Sequence, residues 1–597
     1  MTKKVLFENI LDNHEFPIFR AGIERLEQGN RYYHQLNLID NHEVESHLDH
    51  LLHQDEEELI NSVPMTLADT DALITDENAD FISSLAFASA QSDATAIAEK
   101  VNTDSESTAD ADADANTIGL DNAGKISTKE DEDILMGIAL SRADAEADAD
   151  SSARLNSNSV ATADAIADAI GISNSGKIYT GEDNDAVIGI ANVFASSDAD
   201  TNARAKSLAG NDLEATATSA STAIVKTSAI GIENFDTIHT GLGSDMIVGV
   251  ANNWATSVAD AEAFARNTAA LATEYATSTL DQVETAIATS TAASTAISQS
   301  LTIGLANAGL IRTGRGHEVI LGLAFNNSSS EALVDADAEA TAKDFATAFA
   351  AGESQAVSES ITIGIINSGR IATGRGGDTV IGIAVDDVTA FADADVDANA
   401  VGDVPDAQTT SNAVSDTEQG FSIGIDNTSG VIATDIGDDQ VIGYGETGIK
   451  GGQILTGKNH DQVIAYGIKA GLQAARVRLG AGNDYFRAAL VDFDPFTGHI
   501  EYAEDQSGAI QDAVVSGGNG NDTFDIGGFA SDVVIDGGRD YDVFKLWGSI
   551  DEYEITLGSS DHQEIAIKGE DAMLTVKNVE ALYFGDSGDV YNYHDFA

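Results

Sequence analysis

The chain has 597 residues, with 99 acidic and 30 basic side chains and a formal net charge of −69. This balance argues against nucleic acid as a partner, because phosphate binding needs a basic surface, and it makes multivalent cations the expected partner. The sequence contains no cysteine, which excludes disulfides, thiolate metal sites and thiol catalysis.

The N-terminal residues 1–65 differ in composition from the rest of the chain. They hold six of the 12 histidines, and apolar spacings such as Ile23/Leu26 predict a small helical region. The histidine-rich run at 42–53 could bind zinc, but His47, His50 and His53 step by three and fan around a helix. A solvated polar helix is therefore the favoured interpretation. Residues 66–108 are acidic and predict a linker or an irregular first coil.

No signal-peptide core is present near the N-terminus, because Glu8 interrupts the first apolar stretch after three residues. No segment reaches the apolar length of a transmembrane helix. If the protein is exported, we expect its export signal to lie elsewhere in the chain.

One phrase recurs between residues 109 and 430. Ile170–Ala191 reads IGISNSGKIYTGEDNDAVIGIA and Ile363–Ala384 reads IGIINSGRIATGRGGDTVIGIA. Related copies begin at Ile118, Ile230, Ile303 and Ile423. The acidic residue of each phrase follows the previous one by 52, 60, 73, 60 and 61 residues, at Asp133, Asp185, Asp245, Glu318, Asp378 and Asp439. A near-constant period predicts stacked coils that bury their faces against one another.

The segments between the phrases alternate small and polar residues with period two, as in Ala161 to Ala169. Period two predicts strands, and Asp, Ser and Thr are poor helix formers. Two stretches keep a helical alternative open, because Phe264/Leu271/Tyr275 and Phe345/Phe349 have helical spacing.

The small residues and the large residues of the IGI triplet lie on opposite parity, so along one strand they would face opposite sides. A turn or bulge could exchange the faces, or both faces could be covered. We expect a thin, Ala-lined sheet contact beside a thicker one filled by Ile and Val.

After residue 430 the phrase shortens: Asp439, Asp461 and Asp484 are 22 and 23 residues apart, and Asp522 and Asp542 are 20 residues apart. Thr456–Ile464 reads TGKNHDQVI, Leu479–Phe486 reads LGAGNDYF, Gly517–Asp525 reads GGNGNDTFD and Gly537–Phe544 reads GGRDYDVF. Glycines permit tight turns with positive φ, which direct carbonyl oxygens inward, and the aspartate adds anionic oxygens. Calcium prefers six to eight such oxygen ligands.

These motifs resemble the RTX (hemolysin-type calcium-binding) repeat family, closely over residues 430–597 and in degenerate form over 109–430. The resemblance implies a parallel β-roll in which each Ca²⁺ is shared between loops one coil apart. Upstream copies depart from the pattern, since Thr replaces the first Gly and Glu318 replaces Asp. The predicted metal residues are Asp185, Asp245, Asp378, Asp439, Asp461, Gly480, Gly482, Asp484, Gly518, Gly520, Asp522, Gly538, Asp540 and Asp542.

A solenoid with glycine corners and no metal is the alternative. Coils stack about 4.8 Å apart, so aligned aspartates would repel one another unless a cation lay among them. We expect calcium, with the firmest sites in the short loops around Asp484 and Asp522.

The C-terminus extends the resemblance. Asn578–Asp586 (NVEALYFGD) is similar to the segment that commonly follows RTX repeats, and the end DVYNYHDF is similar to the uncleaved signal of type I secretion substrates. The chain thus divides into a helical region (1–65), a linker (66–108), long-period repeats (109–430), a calcium β-roll (431–545) and a C-terminal cap with the secretion signal (546–597).

No catalytic motif is found, so we predict no enzyme activity. The sequence predicts an all-β parallel solenoid that folds on calcium binding after export and acts as an extracellular structural or surface protein, with possible self-association. A calcium-dependent adhesin that binds a cell-surface glycan, and a secreted enzyme or toxin with the repeats as carrier, are the alternatives.

Overall fold

The computed structural model describes residues 59–61, 65–67, 72–74, 81–100, 104–129, 131–207, 213–268, 285–342, 344–417, 420–494, 499–558, 563–569, 572–585 and 590–596. They form strands and two short 3-10 turns, Ile550–Glu552 and Tyr593–Phe596, with no α-helix among them, which confirms the all-β prediction for this part of the chain. The helices predicted over 1–65 lie outside the described residues, except that Leu59–Asn61 and Met65–Leu67 are strands.

Each long repeat forms one coil with two long strands and one short strand. An outgoing strand leads away from a central core, a return strand comes back beside it, and a short strand closes the coil. Each strand pairs in parallel and in register with its counterpart one coil away, as Ile188 does with Val248 and Ile172 with Ile232. The 60-residue period of the sequence is therefore the contour length of one coil.

The six outgoing strands are β4 (Phe81–Glu99), β7 (Ile134–Ala153), β10 (Ala186–Ser207), β13 (Met246–Thr268), β16 (Val319–Thr341) and β19 (Thr379–Val401). The return strands are β5 (Ser105–Asn122), β8 (Asn156–Asn174), β11 (Leu213–Asn234), β14 (Thr285–Asn307), β17 (Phe345–Asn367) and the pair β20 (Val404–Thr417) and β21 (Phe421–Asp426). Strands β1 (Leu59–Asn61) and β2 (Met65–Leu67) pair with the ends of β4 and β5.

Short strands form a separate sheet with 14 members. Its parallel members are β3 (Ala72–Ile74), β6 (Lys125–Ser127), β9 (Lys177–Tyr179), β12 (Thr237–His239), β15 (Leu310–Arg312), β18 (Arg370–Arg375), β22 (Val431–Ile436), β24 (Gln453–Lys458), β26 (Arg476–Ala481), β30 (Val514–Asn519), β32 (Val533–Arg539) and β36 (Met573–Lys577). Two antiparallel strands, β34 (Glu554–Leu557) and β35 (Ile565–Lys568), end it.

Past residue 430 the coils lose their long arms but keep the stack. Strand β23 (Gln440–Lys450) pairs with both β19 and β21, so the outgoing and return ladders join into one sheet with 24 members. The remaining members are β25 (Gln462–Gln473), β27 (Tyr485–Asp494), β28 (His499–Tyr502), β29 (Ile510–Gln511), β31 (Thr523–Ile526), β33 (Val543–Leu546), β37 (Ala581–Phe584) and β38 (Val590–Tyr591). This confirms a parallel, solenoid-like architecture of long and then short coils.

The thick core fills the base of every coil with three columns of large apolar residues, one from each strand. In a single coil these are Ile172 from the return strand, Ile178 from the short strand and Val187 from the outgoing strand, all fully buried. The column continues into the short coils as Phe486, Phe524 and Phe544. It explains why each phrase carries an Ile-rich run on both sides of its turn.

The arms are thin because alanine fills the space between the outgoing and return strands. Buried alanines such as Ala147 and Ala165 line the inner faces of both layers, while their polar neighbours face outward. The predicted pairing of a thin, Ala-lined contact with a thick, Ile-lined one is confirmed. Phe264, Phe345 and Phe349 lie in strands β13 and β17, which decides against the helical alternative at those positions; Leu271 and Tyr275 lie outside the described residues.

The exchange of faces occurs at the glycine of the IGI triplet. Ile170 and Ile172 pair with Ile230 and Ile232, whereas Gly171 has no register partner, and the buried parity changes at this point. A Cβ on Gly171 would overlap the backbone of the adjacent outgoing strand at Ile190. Glycine thus lets the two layers touch where the alanine arm meets the isoleucine core.

Candidate calcium site

The acidic residues of the phrases form a single column along the molecule. Each one precedes the first apolar residues of an outgoing strand, and each is at most 2 % exposed. The structure places ten carboxylates in this column: Asp133, Asp185, Asp245, Glu318, Asp378, Asp439, Asp461, Asp484, Asp522 and Asp542. It therefore brings together most of the acidic residues predicted from sequence as metal residues.

A hydrogen-bond ladder holds the column together. The backbone N–H of most members donates to the Oδ1 of the aspartate one coil further on, for example Asp461 to Asp484 at 2.9 Å and Asp484 to Asp522 at 2.9 Å. The ladder is interrupted at Glu318, because neither of its carboxylate oxygens accepts a hydrogen bond. The ladder ends where Asp542 N–H donates to Glu580 Oε2 at 2.8 Å. In the aspartates of the ladder, one carboxylate oxygen thus links its coil to the preceding coil.

The other carboxylate oxygen of most members of the column accepts no hydrogen bond. Buried carboxylate oxygens without a hydrogen bond occur at Asp185, Asp245, Glu318, Asp439, Asp461, Asp484, Asp522 and Asp542. Asp378 differs, because the Thr373 hydroxyl donates to its Oδ2 at 2.5 Å. A buried anionic oxygen without a partner is costly, so its charge must be removed by a proton or balanced by a cation.

The protonation equilibria follow from this burial. Desolvation raises the pKa of Asp185 and of Asp461 to about 8, and that of Asp522 and Asp542 to about 7. The charges of neighbouring acidic residues raise each pKa further, while hydrogen bonds act in the opposite direction. Without a cation, several of these groups hold protons near neutral pH.

The loops that carry the carboxylates stack closely through their backbones. In seven of the ten loops, the residues four and two before the aspartate both adopt positive φ, as at Gly480 (111°) and Gly482 (159°). The corresponding residues in the next loops include Gly518, Gly520 and Gly538. At each of these glycines, a Cβ would overlap a carbonyl oxygen of the preceding coil. The lack of a side chain therefore lets adjacent loops pack closely, with carbonyl oxygens of one loop against glycines of the next.

One predicted metal residue lies elsewhere. Asp540 occupies the outer side of its loop at φ 83°, is exposed, and accepts the Gly520 N–H on its Oδ2 at 3.2 Å. Aspartate tolerates this left-handed conformation better than most residues, so Asp540 replaces a glycine here. Its carboxylate lies outside the buried column.

The donor set has the chemistry that calcium prefers. Within the described ranges, no three or more Asp, Glu, His or Cys side chains are grouped so as to hold a metal ion. A cation at this column would therefore be held by one or two carboxylates together with backbone carbonyl oxygens of adjacent loops. Both are hard oxygen ligands, which suit Ca²⁺ at its flexible coordination number.

Sequence reasoning missed two further columns. The first is a column of asparagines that are fully or almost fully buried at the corner of each long coil: Asn122, Asn174, Asn234, Asn307, Asn367 and Asn427. The Nδ2 of each of the first five donates to the Oδ1 of the next at 2.7–2.8 Å, and the Nδ2 of Asn427 donates to Gln453 O at 3.0 Å. The signal was present, because an asparagine recurs at the same place in every copy of the phrase. An outer column one residue before the aspartates links side chains to the backbone of adjacent loops, as where Asn521 N–H donates to Asn483 Oδ1 at 2.8 Å.

Among the described residues, no helix has the length and apolarity needed to cross a membrane. Comparisons with known proteins do not assign the chain. No protein-family model matches the sequence, and no curated protein matches it. A functional interpretation therefore rests on the architecture and on the buried carboxylate column.

Proposed function

We propose that this protein is a non-enzymatic, calcium-binding structural protein of the extracellular surface, which folds on calcium binding after export and self-associates. The buried carboxylate column carries this proposal. Buried carboxylate oxygens such as those of Asp461, Asp484 and Asp522 have no hydrogen bond, and the loops that carry them stack closely enough for carbonyl oxygens of two coils to share one cation.

At the pH of a cell surface, electrostatics favours neutralisation of the column carboxylates by a cation rather than by protons. Near pH 7 to 8, ionisation of successive carboxylates one coil apart would place like charges about 4.8 Å from each other. A divalent ion between two loops would neutralise both neighbours and bind carbonyl oxygens as well. The RTX-like loops around Asp484 and Asp522 are the proposed strongest sites, because both of their positive-φ positions are glycines, as in the RTX-like repeat.

The same chemistry would couple folding to export. Metal binding that requires a folded site adds its free energy to folding, so the chain would stay unfolded at low cytosolic calcium and fold at millimolar external calcium. The net charge of −69 favours this behaviour, since self-repulsion opposes a compact calcium-free state. Type I secretion through the C-terminal segment is the proposed route.

A calcium titration followed by circular dichroism tests the proposal, with electron microscopy of the product. We expect coil-to-β conversion at millimolar calcium. Asp522→Asn should raise the calcium concentration at the midpoint, because the amide keeps the ladder hydrogen bond but loses the charge. Asp532→Asn, at an exposed position, is the matched control. A protein that is folded and indifferent to calcium would refute the mechanism.

An adhesin is the second candidate, and one observation favours it. The outer faces of β11 and β14 carry threonines in register, with Thr218 beside Thr291 and Thr222 beside Thr295. These faces hold few charges in a strongly acidic chain, so they could contact a glycan surface. Saturable, calcium-dependent binding to a glycan array by monomeric protein would favour this function over a structural one.

A further inference from the structure

The last long return strand, β20, has an open edge. It pairs with β17 on one side, and no strand of the described residues pairs with its other side. Every residue from Val404 to Ser415 is exposed, on the inner face as well as the outer face. The strand therefore presents about half of its backbone N–H and C=O groups to solvent over roughly 46 Å.

The residues along the central part of this edge do not block pairing with another strand. Proteins usually block an open edge with charged side chains, bulges or proline. Ala407–Ser415 reads AQTTSNAVS and has no charge in a chain with 99 acidic residues, and Pro405 lies only at its start. The neighbouring open edge of β19 carries Asp393, Asp395 and Asp397, and β5 at the other end of the arms carries Asp110, Asp112 and Asp114. Among these three edges, β20 has the longest central run without a charged side chain.

The short coils decide how a second copy can approach. Strand β19 pairs with β23 only over Thr379–Ile383, and from there the short coils continue the stack at the base of the arms. A copy that extended the stack head to tail would occupy the volume of those coils. A copy whose arm points in the opposite direction avoids them, because its arm tip lies beside the base of the first arm.

We propose that β20 pairs antiparallel with β20 of a second copy, about a two-fold axis perpendicular to the sheet. The same segment Ala407–Ser415, which carries no charge, then serves both partners, as an isologous interface requires. This dimer contact deepens the self-association in the proposed function and rests on it, since calcium-driven folding must first form the arm.

Cysteine scanning tests the contact directly, because the natural chain has no cysteine. Gln408→Cys, Thr410→Cys, Asn412→Cys and Val414→Cys would be made singly in the full-length, calcium-loaded protein and treated with a mild thiol oxidant. Disulfides need Cα atoms within about 7 Å. We expect a covalent dimer at one or two adjacent positions nearest the axis and weaker crosslinking at the others.

The matched control is Thr291→Cys, which lies in the same row of side chains but two strands inside the sheet. It should not crosslink. A second pair, Thr410→Lys and Thr291→Lys, compares an edge charge with an interior one; only the former should raise the dimer dissociation constant, by tenfold or more in sedimentation analysis.

Two results would refute the proposed dimer while leaving the proposal of calcium-driven folding intact. One is a calcium-loaded, β-folded protein that sediments as a monomer at all concentrations. The other is a crosslink between Thr410→Cys and Asp112→Cys in a mixture of the two variants, which would show a contact between opposite ends of the arms. Loss of the calcium-induced folding itself would instead refute the proposed function.

Discussion

Gly376 shows how a single residue supports the stack of loops. It has a φ of 149°, and a methyl group added to it would overlap the carbonyl oxygen of Gly316 in the preceding coil. Its neighbour Gly377 has more room, since the nearest atoms to an added Cβ are Asp438 O and His317 Nδ1, each at 3.1 Å. Only the first glycine is required by the close approach of two coils.

We therefore expect Gly376→Ala to lower the free energy of unfolding by about 2 kcal/mol or more, because the loop must shift to relieve the overlap. Gly377→Ala should change it by less than about 1 kcal/mol. Urea unfolding of both variants in saturating calcium measures the difference, and equal effects would contradict the close-approach argument.

At the scale of elements, the asparagine column joins the return strands to the short strands at every corner. Asn234 accepts a hydrogen bond from Asn174 Nδ2 at 2.7 Å and donates one to Asn307 Oδ1 at 2.8 Å. Because both neighbours are buried, an interruption leaves a donor on one side and an acceptor on the other without a partner.

Asn234→Ala should accordingly destabilise the protein by roughly 2–4 kcal/mol, which is the cost of two unpaired buried polar groups. Asn399→Ala, at an exposed position of β19, should be close to neutral. Thermal unfolding at fixed calcium compares them. A change at Asn234 no larger than that at Asn399 would show that the column adds nothing to stability.

At the scale of the whole molecule, the carboxylate column makes the calcium-free fold sensitive to pH. The pKa of Asp185 and Asp461 is raised to about 8 in the folded state, against about 3.9 in an unfolded chain. Between these values the folded state binds more protons than the unfolded state. Stability therefore falls as pH rises from about 4 to about 8.

Circular dichroism in a calcium chelator at pH 5 and pH 8 measures this dependence as the folded fraction, which should be larger at pH 5 because protons can then replace calcium on the carboxylates. Protons and calcium would compete for the same oxygens, so the calcium midpoint for folding should decrease as pH rises. Greater calcium-free stability at pH 8 than at pH 5 would contradict the raised pKa values.

Much of the architecture was accessible from the sequence because a solenoid repeats its local rules. The 60-residue period, the two-residue alternation around Ala161–Ala169 and the acidic position of each phrase predicted coils, strands and a column of aspartates. The opposite parity of the small and large residues raised the question of where the buried face of the strand changes. The structure shows that this change occurs at Gly171.

The sequence by itself determined the coil, its thin and thick contacts and the residues of the acidic column, since these follow from periodicity along one segment. The tertiary structure alone decided which carboxylate oxygens have partners, because each partner lies on another coil 20 to 73 residues away. It also decided that Asp540 lies outside the column and that β20 has an open edge. Hydrogen-bond partners and open edges depend on the neighbouring strands, and the sequence pattern within one strand does not specify those neighbours.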